Sequence, residues 1–150
     1  MCDNLGSPWL ATAFRSKLII MIENMHPQQA WNLLQQNNKA VLIDVRTAAE
    51  YTFVGHPVGA VHIPWKETPD WQINAQFVAT VIQNVPERNT PILLLCRSGQ
   101  RSLDAAKALE EAGYQALINI EDGFEGPLDN DKHRNQLGGW RFCGLPWEQA

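Results

Sequence analysis

The decapeptide LLLCRSGQRS, residues 93–102, brings an apolar run to an end at Cys96 and follows it with two arginines, a glycine and two serines. A thiol placed there could be core filler, a metal ligand, a redox partner or a nucleophile. The residues behind it favour the nucleophile. The thiolate is the reactive form of cysteine, and it is stabilised by a helix N-terminus and by neighbouring guanidinium groups. Arg97 and Arg101 supply the cations, and the segment runs into a helical pattern whose free N–H groups and dipole favour an anion. Gly99 lets the chain turn tightly and brings its amide towards the sulfur, while Ser98 and Ser102 offer hydroxyl donors and Gln100 completes the loop. A cysteine that merely extended the core would need none of these neighbours.

The other chemistry-bearing residues lack such a setting. The three cysteines are odd in number and widely spaced, with no C-x-x-C pair and no histidine at ligand spacing, so neither a metal site nor a disulfide framework is expected. Cys2 and Cys143 read as ordinary residues, Cys143 half-buried between Phe142 and Gly144. His56 and His62 flank the turn in GHPVGAVHIP and read as satisfied structural histidines, not general bases.

The elements that must position Cys96 follow from periodicity. A chain of 150 residues with 45% hydrophobic residues suits one domain, read here as 25–150 after a flexible lead-in over 1–24. HPQQAWNLLQQNN, from His26, predicts a short amphipathic helix with Pro27 in its first turn. AVLIDV (40–45), AVHIP (60–64), PILLL (91–95) and ALINIE (116–121) predict strands, the first and third buried on both faces as in a parallel sheet. Phe77, Val78, Val81, Ile82 and Val85 recur at helical spacing before Pro86. After the cysteine loop, SLDAAKALEEAG predicts a helix with Leu103, Ala106 and Leu109 on one face and Gly113 beyond its end. Strands alternating with helices define an α/β fold, and Cys96 falls just past the carboxyl end of a central strand, where such sheets collect ligands.

Composition excludes some partners. A net charge of -4 argues against a nucleic-acid binder, which needs clustered Lys and Arg. The apolar run LIIMI at 18–22 is too short to span a bilayer, and no cleavage site follows it. No membrane association is expected, and a soluble protein of a reducing compartment, the cytoplasm, is the reading.

CRSGQRS after PILLL, with LIDVRTAAEY, GHPVGAVHIP and a late GLPW in that order, resembles the single-domain rhodanese family of sulfurtransferases from about Met25 to Trp147. The resemblance implies a mostly parallel five-stranded sheet flanked by helices on both faces and a catalytic cysteine, Cys96, that becomes a persulfide. It implies an active-site loop over Arg97, Ser98, Gly99, Gln100 and Arg101, running on into Ser102, with Arg97 and Arg101 holding a small anionic sulfur donor such as thiosulfate. The acceptor would be cyanide or a thiol, or a protein could serve as donor or acceptor, and no cofactor or metal would be needed. Asp44, Arg46 and Glu50 would support the loop, Arg46 and Glu50 as an ion pair. Two other readings stay open: a persulfide carrier, or a regulatory rhodanese-like binding module. A related cysteine phosphatase needs five residues between cysteine and arginine, and RSGQ supplies four. The polar excursion PLDNDKHRNQLG departs from the compact pattern, and it is expected to bring His133 and Arg134 to the rim of the pocket. Trp140 and Trp147 are expected to anchor the C-terminal segment.

Overall fold

The computed structural model describes Cys2 and residues 22–150. In chain order the elements are β1 (Glu23–Met25), α1 (Pro27–Gln36), β2 (Val41–Asp44) and a π-helical turn (Glu50–Val54). The short strands β3 (His56–Pro57), β4 (Val61–His62), β5 (Lys66–Glu67) and β6 (Gln72–Ile73) come next. They are followed by α2 (Phe77–Asn84), β7 (Ile92–Leu95), α3 (Gln100–Glu111), β8 (Leu117–Ile120) and β9 (Trp147–Glu148).

The two most apolar runs, β2 and β7, lie side by side with Val41 opposite Ile92 and Asp44 opposite Leu95. They form the middle of a five-stranded sheet in the order β1-β8-β7-β2-β4, parallel at every pairing. Alternate residues of a strand face opposite sides of the sheet. Ile43, Ile92 and Leu94 accordingly pack with Phe77 and Val81 of α2 and with Ala105, Ala106 and Leu109 of α3. Leu42, Leu93, Leu95 and Ile118 pack on the other face with Ala30 of α1, Trp140 and Leu145. The sheet is therefore covered on both faces, and its carboxyl ends all open on one edge.

Local chemistry sets the helix ends. Pro27 opens α1 where no N–H is required, and the His26 ring Nδ1 accepts the Gln28 N–H at 3.1 Å. α3 starts after Gly99, whose φ of 119° is a left-handed conformation that suits glycine. The inner face of α3 is Ser102, Ala105, Ala106 and Leu109, so Leu103, predicted inside, is only partly buried. That rotation turns Ser102 inward, towards the end of β7.

Two other expectations change. β1 begins at Glu23 and pairs with β8, so the domain takes in two residues assigned to the lead-in, whose positions 1 and 3–21 lie outside the described residues. The strand expected over 60–64 is reduced to Val61–His62. Ahead of α2 the chain makes a small antiparallel ladder, Lys66 opposite Ile73 and Glu67 opposite Gln72. Among the described residues no helix is long and apolar enough to cross a membrane.

Candidate active site

Cys96 follows β7 directly, and Asp44 ends the neighbouring β2, so the parallel register delivers both to the same edge. The Cys96 side chain is buried, with 1% exposure. Its Sγ accepts the Gly99 N–H at 3.1 Å and lies 3.3 Å from the Ser102 hydroxyl. Ser98 plays no such part. It is exposed, as are Arg97 and Gln100, and Gln100 donates to Asp104 within the first turn of α3. The cradle at the sulfur is thus built from one loop amide and one helix hydroxyl.

A second segment holds this loop in place. Phe124 N–H donates to Cys96 O at 2.8 Å, and the N–H groups of Glu125 and Gly126 donate to Arg97 O at 3.0 and 3.3 Å. The approach is so close that a Cβ on Gly123, where φ is 59°, would stand 2.3 Å from Cys96 O and 2.6 Å from Arg97 C. The GFEG tetrapeptide, residues 123–126, therefore acts as a clamp, and its role was not evident from the sequence. Two glycines bracketing an aromatic just after a strand are the signal that could have marked it.

The ion pairs differ from expectation. Arg46 binds Asp44, not Glu50: its Nε donates to Oδ1 at 2.9 Å and its Nη2 to Oδ2 at 2.6 Å. Nη2 also donates to Gly55 O at 2.6 Å, and the guanidinium lies 4.4 Å from the centre of the Phe124 ring. Both partners are fully buried. The pair ties the end of β2 to the turn at Gly55 and to the aromatic of the clamp.

Glu50 instead holds Arg101 by two hydrogen bonds, of 2.8 and 2.9 Å. It also accepts the Thr47 N–H at 3.1 Å while the Thr47 hydroxyl accepts the Glu50 N–H at 3.2 Å. This reciprocal capping is written in the sequence as T-A-A-E. Burial alone would push the Glu50 carboxyl up, but the hydrogen bonds and charge of Arg101, with Thr47, hold it down at about 2. Burial would likewise weaken the Arg101 cation, and the Glu50 contacts more than offset that, raising its affinity for the proton. Arg101 also lies over the Trp71 ring, 5.0 Å from its centre.

Beside the cysteine loop a cleft is lined by Thr47, Glu50, Trp71, Arg97, Arg101 and Arg134, among others. With Arg101 engaged by Glu50, Arg97 and Arg134 are the cations left to meet an anion there. The polar excursion thus brings Arg134 to the cleft, anchored by Nη1 on Gly126 O at 2.7 Å, whereas His133 is exposed and away from the lining. His56 and His62 are satisfied structurally, on Tyr51 O at 2.9 Å and Arg46 O at 2.7 Å, and both stack on the Tyr51 ring.

Cys2 and Cys143, expected to be unlinked, are joined in a disulfide, and Cys96 is the free cysteine. Cysteines 141 positions apart meet only because the C-terminal segment packs back over the fold, which spacing along the chain does not reveal. His26 completes a trio of possible metal ligands within 4.8 Å of one another. The bonded sulfurs offer no thiolate, and His26 Nδ1 is taken up by the α1 cap, so the trio as it stands is not a metal centre. Trp140 is fully buried as expected, but Trp147 is 41% exposed and lies against Gly55.

A five-stranded parallel sheet with a cysteine loop at its carboxyl edge, feeding a helix, defines the class. The rhodanese-like domain family matches residues 26–128. An uncharacterized protein of Rickettsia prowazekii is 37% identical over 133 residues, which cover 86% of this chain and 99% of that protein. Thiosulfate sulfurtransferase GlpE of Haemophilus influenzae is 31% identical over 100 residues, covering 67% of this chain and 82% of that one. The crystal structure of Rv0390 from M. tuberculosis superposes with a TM-score of 0.76 at 42% identity, over 85% of this chain and 98% of that one. The chain belongs to the rhodanese-like family.

Proposed function

We propose that the protein is a sulfurtransferase that carries a sulfane sulfur on Cys96. The observation that carries this reading is the pair of donors on Sγ, the Gly99 amide and the Ser102 hydroxyl, at the N-terminal end of α3. Both stabilise an anionic sulfur, the form that attacks a donor and leaves again when an acceptor takes the cargo. With thiosulfate, the Cys96 thiolate forms a bond to the outer sulfur, and sulfite departs with the electron pair of the broken S–S bond. Cyanide or an acceptor thiolate then attacks the outer sulfur of the persulfide and returns the electron pair to Sγ. Charge is conserved in each step, and no cofactor takes part. Arg97 and Arg134 meet the anionic donor at the cleft, and Arg101 acts through Glu50 to hold the wall.

A persulfide carrier fed by a protein is the second reading. It is favoured by the burial of Cys96 and by the engagement of Arg101, which leave less cationic surface for free thiosulfate. The cytoplasm is the proposed location, on the acidic composition, and the Cys2–Cys143 bond is the observation that weighs against it.

The test is the intact mass of the reduced protein after incubation with thiosulfate, then thiocyanate release on adding cyanide, with Cys96→Ser in parallel. The expected result is a gain of one sulfur atom that requires Cys96 and is discharged by cyanide. A protein that stays unloaded with thiosulfate but loads from a cysteine-persulfide protein is a carrier. Loading that survives Cys96→Ser overturns the reading.

A further inference from the structure

The Ser102 hydroxyl has one proton and three acceptors around it: Asn119 Oδ1 at 2.5 Å, Gly99 O at 3.2 Å and Cys96 Sγ at 3.3 Å. Ser102 and Asn119 are both buried, so the choice among these acceptors has energetic weight. Asn119 is placed by the sheet: on β8 it lies opposite Leu94 on one side and Asn24 of β1 on the other. Its amide orientation is settled by its neighbours. Nδ2 donates to Asn24 Oδ1 at 3.0 Å and to Gly99 O at 3.2 Å; the backbone carbonyl of Gly99 can only accept, so a flipped Asn119 amide would set oxygen against oxygen there. Oδ1 must therefore face Ser102.

We propose that Asn119 is a positioning residue that competes with Cys96 for the Ser102 proton, so that the sulfur receives it only when anionic. This rests on the reading of Cys96 as a sulfur carrier. While the inner sulfur is neutral, as thiol or persulfide, the Ser102 O–H points to Asn119 Oδ1. When an acceptor attacks the outer sulfur, the S–S bond breaks and its electron pair goes to Sγ. A hydrogen bond to an ionised acceptor is roughly twice as strong as one between neutral groups, and the Ser102 proton turns to the sulfur. The proton changes hydrogen-bond partner without leaving Ser102 Oγ. When the thiolate attacks the next donor, the hydroxyl turns back. Asn119 thus keeps the thiolate from being over-stabilised as a nucleophile, while Ser102 assists it as a leaving group.

The experiment is the rate of Cys96 alkylation by iodoacetamide as a function of pH, read by intact mass with the disulfide kept oxidised and folding checked by circular dichroism. Ser102→Ala is expected to slow alkylation at neutral pH by roughly ten-fold, the loss of one charge-assisted hydrogen bond, and to move the profile to higher pH. Asn119→Ala is expected to move it the other way, and to have no effect when added to Ser102→Ala. Asn119→Ser, whose hydroxyl is too short to replace Oδ1, serves where Asn119→Ala does not fold. A wild-type profile for Ser102→Ala, or a shift of both variants in the same direction, overturns the proposal. Alkylation needs no sulfur donor, so a protein that follows this pattern yet takes up no sulfur overturns the transfer reading alone.

Discussion

Glu50 and Arg101 show how one residue's partner changes what another can do. Each spends its charge on the other, and the result is a rigid wall beside the cysteine loop in place of a free guanidinium. The Glu50 carboxyl is lowered from 4.5 to about 2, so its contribution to stability is full above the ordinary carboxylate range and is lost as pH falls through about 2. With the side chain 19% exposed, that shift corresponds to at most on the order of 3 kcal/mol. Glu50→Gln is expected to lower the unfolding free energy at neutral pH by about 2 kcal/mol in a denaturant titration. The gap to the wild type should narrow progressively in acid. A gap that does not change with pH would mean that the ion pair is not its source. The sequence reading paired Glu50 with Arg46 and gave Arg101 to the anionic donor; instead Arg46 turns back to Asp44, the last residue of β2, and leaves Glu50 to Arg101.

At the scale of elements, the site is a junction of β7, the first turn of α3 and the GFEG clamp. The clamp takes the first two carbonyls of the loop, those of Cys96 and Arg97, and leaves the Gly99 N–H free to face the sulfur. Gly123 is the point of closest approach, and a methyl group there meets backbone atoms that cannot swing aside. Gly123→Ala is expected to destabilise the fold by about 2–4 kcal/mol, from overpacking and positive φ together, and to reduce sulfur loading of the protein that remains folded. Differential scanning calorimetry with the mass assay reads both, and unchanged loading would show that the clamp does not hold the loop in register. The three helices and the strands β2, β7 and β8 were legible from period alone, whereas β1 and the two-residue ladders were not. The clamp was not, since its meaning lies in a segment far upstream that it touches only after folding.

For the whole molecule, the Cys2–Cys143 bond ties the N-terminus to the C-terminal segment, which already adds β9 to β3 and buries Trp140. Denatured without reductant and treated with a maleimide, the protein is expected to take one label, on Cys96, and after reduction three, one for each cysteine. Three labels before reduction would mean that Cys2 and Cys143 are not bonded. The family match spans residues 26–128, so this bond joins two residues outside it to each other.

Hydrophobic period, glycine and proline placement and the CRSGQRS motif are local properties of the chain, and they sufficed to read the α/β class, the buried parallel strands and the place of Cys96 at the end of one of them. That Glu50 holds Arg101, that Ser102 and not Ser98 faces the sulfur, that Asn119 stands behind it and that Cys2 meets Cys143 came from tertiary packing. Those outcomes depend on strand register, on the rotation of α3 about its axis and on the return of the C-terminal segment. Each is fixed by packing among residues far apart in the chain, and no local pattern encodes it.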